Sequence, residues 1–393
     1  MSLQATSRKK MIWVNIVFFA VTALVAVIGG PLYVLKYGVS LPEGLLFVFY
    51  MVATGLSITV GYHRLFSHVA YKAHPVIRFL LLFFGAAAFE QTALMWSSQH
   101  RDHHRYVDTE RDPYSIKKGF WYAHVGWMLF WEHQVNYDNA GDLKKDPMVM
   151  HQHHYYLGWS VVSGILVPVF IGALTGHALG AFILAVCGRI TLVYHATFCI
   201  NSVCHMFGRP TYDIYATAKD HWFIAFLTYG EGYHNFHHRF PGDYRNGVRW
   251  YQWDPSKWMI WVLARLGLAE RLHRVSPFRI LAARLAAESQ LAQDKLQTHR
   301  WQPEIEVRRA LETLKLRYIS LCANLAVWEK AARDSQRIFQ QQVSKQSREL
   351  QCSASKKVEE AKRQFAVTHE RWRELICHNP LDLRRALLLN SLG

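Results

Sequence analysis

Before residue 200 the apolar positions of this chain gather into runs of about 20, the length a helix needs to cross a hydrocarbon core of about 30 Å. Residues 11–33 (MIWVNIVFFAVTALVAVIGGPLY) form the first run, and 44–62, 157–176 and 178–200 form three more, so four spanning helices are expected. Arg8, Lys9 and Lys10 precede the first run as they would a secretory signal. The apolar part is long, however, and no small-x-small cleavage site follows it, which favours an uncleaved anchor. A fifth stretch, 76–96 (VIRFLLLFFGAAAFEQTALMW), has the length of a span but contains Arg78 and Glu90. From about 277 the pattern changes to a Leu/Ala-rich stretch and a break at Pro303. Beyond it Leu311, Leu314, Tyr318, Leu321, Leu325 and Trp328 recur at spacings of three and four, which predicts a helical hairpin or short coiled coil.

The loops around Lys36 and Glu43, and around His177, are short and nearly uncharged, and the basic residues lie on the opposite side. By the positive-inside rule that opposite side is cytosolic. The second run ends in GYHRLFSH, which delivers His63 and His68 to the cytosolic surface. Were 76–96 to cross, HRDHH (100–104) would be carried to the other side, so the stretch is expected to be a helix lying along the interface, where its charges are tolerated. Residues 100–156 and 210–260 are then cytosolic, with both termini. The expected fold is an all-α integral membrane protein: residues 1–270 supply four spans and a helical cytosolic cap, and 277–393 a helical extension.

Of the formal charge of +16, residues 277–393 contribute +8, with 21 Lys and Arg against 13 Asp and Glu. In a chain with spans this balance reads as topology and attraction to anionic head groups, not as a nucleic-acid site.

Nine histidines then share one surface: His63, His68, His100, His103, His104, His205, His234, His237 and His238. Helical offsets of three and four advance by about 300° and 400°, so the boxes His100–His103–His104 and His234–His237–His238 each hold their imidazoles within about 100° of one face. His63 and His68, five apart, are expected to point about 140° apart and to serve different ions. Asn201 and His205, in NSVCH, fall on one helical face. Nine ligands exceed one ion and suit two, while ligand chemistry alone leaves iron, zinc, copper and nickel open. His151, His153 and His154 have offsets that spread them around a helix, and with His124 and His195 they are expected to be structural. The six cysteines lack zinc-finger spacing and read as reduced thiols, and Cys199 and Cys204 are not expected to ligate.

HRLFSH, HRDHH and HNFHH, in this order and with NSVCH between the last two, resemble the boxes of the membrane fatty acid desaturases. GYHRLFSHVAYKAHP, DPYSIKKGFWYAHVGW and GEGYHNFHHRFPGDYR are similar to the acyl-CoA delta-9 (stearoyl-CoA type) branch. The resemblance covers roughly residues 20–270 and leaves the tail unexplained.

It implies a site of two iron ions held by the nine histidines, with Asn201 acting through a water, and an O2-dependent reaction that places a cis double bond, expected at carbon 9, in a long-chain fatty acyl-CoA. Hydrogen removal from unactivated methylenes is beyond side-chain acid–base chemistry, and zinc has no redox chemistry to offer. Acids should orient the rings, and Asp102 and Glu231 are the candidates by proximity to the boxes. The family gauges chain length one turn apart on the second span, at positions matching Met51 and Gly55. Lys117 and Lys118 match positions that meet coenzyme A phosphates, with Arg101 and Arg105 nearby. No flavin, nicotinamide, haem or ferredoxin pattern occurs in this chain, so electrons should come from a separate ferredoxin-type protein or b-type cytochrome with its NAD(P)H reductase. Without an endoplasmic-reticulum retention signal in the chain, a bacterial cytoplasmic membrane is favoured over the endoplasmic reticulum. The rival readings are a di-iron acyl hydroxylase or alkane monooxygenase, and a zinc or iron transporter.

Overall fold

The computed structural model describes residues 10–131, 135–298, 304–340 and 345–389. Arg8, Lys9 and the break expected at Pro303 lie outside them. The chain divides into two compact units, residues up to Pro210 with Tyr215–Arg274, and Thr211–Ile214 with Val275 onward.

The main helices of the first unit are α1 (Trp13–Tyr37), α2 (Leu41–Ser67), α3 (Pro75–Ala87), α4 (Ala93–Tyr106), α5 (Pro147–His154), α6 (Tyr156–Leu174), α7 (Ala178–Ser202), α8 (Trp222–Leu227), α9 (His234–Arg239) and α10 (Pro255–Arg265). Among the described residues α1, α2, α6 and α7 are the helices long and apolar enough to cross a membrane. On α1 the side chains of Val14, Val17, Val21, Leu24, Ile28 and Leu32 are exposed, a stripe that water would not tolerate and acyl chains solvate. Two short antiparallel ribbons, Lys10–Met11 with Phe130–Trp131 and Lys72–Ala73 with Ala269–Glu270, tie distant segments together.

A charge inside the bundle must be fully bonded to be tolerated. Arg189 of α7 meets that condition: its guanidinium donates to the carbonyls of Ala185 at 2.8 Å, Gly164 of α6 at 3.0 Å, and Ala87 of α3. One buried cation thereby joins three helices.

The single interfacial helix expected over 76–96 is in fact two helices. α3 has 13 residues, a rise of about 20 Å, which is short of the hydrocarbon thickness. It ends where Phe89 and Gln91 take left-handed backbone angles, φ 61° and 74°. Thr92 then caps α4, its Oγ1 accepting from the Met95 amide at 3.1 Å. Gln152 holds the break, accepting from the Ala93 amide at 2.9 Å and donating to the Leu82 carbonyl at 2.8 Å and Tyr62 Oη at 2.7 Å. Apolar content made 76–96 look continuous, and the cap at Thr92 divides it. The consequence is that α4 starts afresh and aims its own histidines.

The second unit contains α11 (Pro277–Gln297), α12 (Glu304–Gln340), α13 (Lys345–Cys377) and α14 (Pro380–Leu389) around a core of its own. Leu314, Leu321 and Leu325 of the seam are buried in it, against Phe365 and Trp372 of α13, with Leu311, Tyr318 and Trp328 partly buried at its edge.

Candidate metal centre

The nine histidines come together in two groups. His63, His68, His100, His104 and His237 form one, and His103, His205, His234 and His238 the other, with the potential ligand atoms of each group within 4.8 Å of one another. The Nε2 atoms face inward: His63 to His237 at 2.9 Å, His68 to His100 at 2.9 Å and His237 to His104 at 2.8 Å in the first. In the second, His234 lies 3.0 Å from both His205 and His238, and His238 lies 3.3 Å from His103. Neither box stays whole. His100 and His104, one turn apart on α4, enter the first group and His103 the second. His234 and His238, one turn apart on α9, enter the second and His237 the first.

His63 and His68 are not 140° apart, as α-helical spacing predicts, but share the first group with their ring centroids 4.9 Å apart. The reason is that α2 is wound as a π-helix from Ser57 to Ser67, and the His68 amide bonds the His63 carbonyl at 3.1 Å. An i→i+5 ladder stacks residues five apart on one face.

Four of the outward nitrogens are anchored, while Nδ1 of His234 is buried without a hydrogen-bond partner among the described residues. His63 Nδ1 lies 2.8 Å from Glu231, His103 Nδ1 2.8 Å from Asp112, His205 Nδ1 2.7 Å from Thr217 Oγ1, and His100 Nδ1 3.2 Å from Tyr114 Oη. Thr217 in turn donates to Asp108 at 2.7 Å, so its hydroxyl accepts from His205. A ring that donates from Nδ1 presents its lone pair at Nε2, toward the centre of the group. Burial first, then neighbouring positive charge, holds His68, His100, His104, His205, His234, His237 and His238 well below the usual histidine range, so these rings are neutral near pH 7. Two sets of converging neutral imidazole lone pairs fit two divalent transition-metal ions.

Glu231 is where sequence proximity puts it. Its Oε1 accepts from Arg64 at 2.9 Å and its Oε2 from Asn246 at 2.6 Å, besides the contact to His63. Burial would raise this carboxyl, but His63 and Arg64 outweigh it and hold it below the usual range. Arg64 also meets Asp254 at 3.0 Å, which completes a buried charge cluster beneath the cage. Asp102 does not orient a ring; it accepts from Asn139 at 2.8 Å. Asp112, nine residues beyond His103 in the loop after α4, takes that place, and nothing in local spacing marks it out.

His151, His153, His154, His124 and His195 stand apart from both groups. His124 bonds Ser202 at 2.9 Å and His195 at 3.1 Å, and His153 bonds Thr92 at 2.9 Å. Burial pushes the Cys204 thiol well up, which disfavours the ligating thiolate.

A cavity of about 1010 Å³ lies against the cage, and His63, His100, His103, His234 and Asn201 form part of its wall. The remainder is mainly apolar, including Met51, Gly55, Trp96, Tyr194 and Tyr229. Glu90 is also in this wall; burial raises its carboxyl to about 7 against the opposing bonds from Thr197 at 2.7 Å and Trp96 at 3.3 Å. A second cavity of about 650 Å³ shares Gln91, Gln99, Trp127 and Met128 with the first and is lined by Asp102, Arg111 and Tyr122.

Neither Lys117 nor Lys118 lines either cavity; they sit in a turn, Ile116–Lys118, with Lys118 Nζ 4.8 Å over the Tyr122 ring. Arg105 is exposed and packs near Tyr106. Arg101 is not a free cation for a head group: it grips Asp142 at 2.6 and 2.8 Å and donates to the carbonyls of Phe66, Ser67 and Asn139. It thus caps the C-terminus of α2 just where His68 follows.

Residues 40–265, which contain every one of these histidines, match the family model for fatty acid desaturase. The chain belongs to the fatty acid desaturase family. Among its relatives in that family, the probable acyl-CoA desaturase of Schizosaccharomyces pombe is 45% identical over 229 residues, 58% of this chain and 48% of the relative. Acyl-CoA desaturase 1 of Saccharomyces cerevisiae is 40% identical over 259 residues, 65% and 51% of the two chains. Acyl-CoA desaturase 1 of Tachysurus fulvidraco is 34% identical over 285 residues, 70% and 83%. The chain spans about half the length of the two yeast desaturases it matches.

Proposed function

We propose that this desaturase-family protein introduces a cis double bond, at carbon 9, into long-chain fatty acyl-CoA, using O2 and two iron ions held by its nine histidines and by Asn201 through a water. The observation that carries the reading is the contact of the two histidine groups with one mainly apolar cavity. Iron in these groups would supply the redox activation of O2 that hydrogen removal from methylenes requires. The chain's own contribution is positional. Glu231, Asp112 and the Thr217–Asp108 pair fix the tautomers of His63, His103 and His205. The cavity wall excludes water and holds an acyl chain by about 0.8 kcal/mol per buried CH2, with Arg111, Asp102 and Tyr122 at the more polar cavity beside it.

The CoA carrier follows the names of the three relatives, and Lys117, Lys118 and Arg105 remain the proposed outer contacts of its phosphates. Electrons would come from a separate ferredoxin-type or b-type cytochrome partner. The site is proposed to be cytosolic on the positive-inside bias, and the extension over 277–393 to be a helical accessory to a desaturase unit over 1–270. A bacterial membrane gains no support from relatives that include two yeast proteins.

A transporter would place its ligands near the bilayer midplane, whereas this cage draws on the last turn of α2 and on His205, three residues beyond α7. A hydroxylase shares the metal chemistry and differs in product. Expression in cells lacking their own desaturase, followed by acyl-chain analysis, is expected to give a new cis monoene. An alcohol would select the hydroxylase, and no oxidised product from folded, iron-loaded protein supplied with donor and O2 would reject the proposal.

A further inference from the structure

We infer that Tyr229 is the residue that closes the acyl cavity against α2 and sets the longest chain it admits; this rests on the desaturase reading above. Gly55 by itself suggests a roomy cavity end. The space above it is taken: a Cβ added at Gly55 would lie 2.1 Å from Cε2 and 2.8 Å from Cζ of Tyr229. The ring occupies the recess that the missing side chain leaves, and its hydroxyl donates to the Met51 carbonyl one turn back at 3.0 Å. Met51, Gly55 and Tyr229 all line the cavity, so a chain meets Tyr229 there together with the surface of α2.

Tyr229 is held in place from behind as well. Its backbone is left-handed, φ 54°, which is unusual for a bulky residue and persists only where the surroundings impose it. The Tyr229 carbonyl accepts from Ser256 Oγ at 2.9 Å, Ser256 is bonded to Thr59 of α2 at 2.6 Å, and the next amide, of Gly230, bonds the Ala225 carbonyl at 2.8 Å. Anchored at both ends to α2, the ring is a rigid wall. Along that helix Met51 and Gly55 lie 12 and 8 residues before His63, about 18 and 12 Å from the cage, a separation on the scale of the part of an acyl chain beyond the reacting carbons.

The test is a length profile of the full-length, iron-loaded protein against saturated acyl-CoAs of about 14 to 22 carbons. Since one methylene in an apolar pocket changes selectivity by about 10-fold or more, Tyr229→Ala is expected to raise the ratio of the longer to the shorter product by roughly 10-fold. Gly55→Ala, which must lift the ring into the cavity, is expected to shift the ratio the opposite way. Tyr229→Phe keeps the ring, loses the bond to Met51 and should keep the wild-type order with weaker discrimination. Thermal stabilisation by each acyl-CoA is read in parallel. If the wild type makes no alkene, the desaturase reading fails on its own, and the stabilisation profile still tests the wall. Profiles of Tyr229→Ala and Gly55→Ala that both match the wild type in folded protein overturn the inference.

Discussion

Glu231 Oε2 lies 2.8 Å from His63 Nδ1, while the other oxygen of the same carboxylate accepts from Arg64, the residue next to His63, at 2.9 Å. One buried acid therefore fixes a ring of the cage and neutralises the cation beside it. Glu231→Gln keeps the shape but removes the charge, which leaves Arg64 buried with less compensation. A 10- to 100-fold loss of iron affinity or activity is expected, in keeping with ligand-orienting carboxylates elsewhere. Iron titration of the purified variant checks this, and wild-type affinity would refute the orienting role.

His237 and His238 are neighbours in sequence yet belong to different groups. His238→Ala should lower bound iron from about two per chain toward one and abolish turnover, and His237→Ala should do the same through the other group. The double variant is expected to bind almost none. Elemental analysis decides, and loss of both ions from each single variant would mean that the groups load only together.

Arg101 bonds Asp142 and the last carbonyls of α2, so its loss should act on stability and not on recognition. Arg101→Ala is expected to destabilise the protein by about 2 kcal/mol or more, the scale of lost charge-assisted bonds. Its KM for acyl-CoA, measured on the folded fraction, should stay near the wild-type value. A selective rise in KM would restore Arg101 as a head-group contact.

Glu90 gives the clearest pH dependence. Its carboxyl titrates near 7 in the folded protein, above the ordinary value of 4.5, because burial disfavours the charge. A raised folded pKa means stability that is fully present below about 4.5 and is lost as pH rises through 7. Glu90→Gln, which stays neutral, should match the wild type near pH 5 and become more stable by up to about 3 kcal/mol above pH 8. Thermal unfolding in detergent across that range measures the gap. A constant difference at all pH values would show that Glu90 does not carry the titration.

How much of this was legible in the chain depends on whether the information was local. The four apolar runs, the seam from Leu311 to Trp328, the nine histidines and Glu231 could all be found by periodicity, composition and proximity. These signals report which face of an element a residue occupies, and facing is what local geometry fixes. The division of 76–96 was also local, but it was written in the single capping residue Thr92, which an apolar average hides.

The rest depended on neighbours distant in sequence. The assignment of His103 and His237 to opposite groups from the histidines beside them depends on how the side chains of α4 and α9 meet at the cage. The company of His63 and His68 depends on a π-helical winding that α-helical arithmetic cannot supply. Asp112 displaces Asp102, Asp142 and the α2 carbonyls claim Arg101, and Tyr229 fills the recess at Gly55, each through packing across 9 to 174 residues of chain. Periodicity thus selected the histidines, and the way the chain packs decided which group each would join and how much room is left beside it.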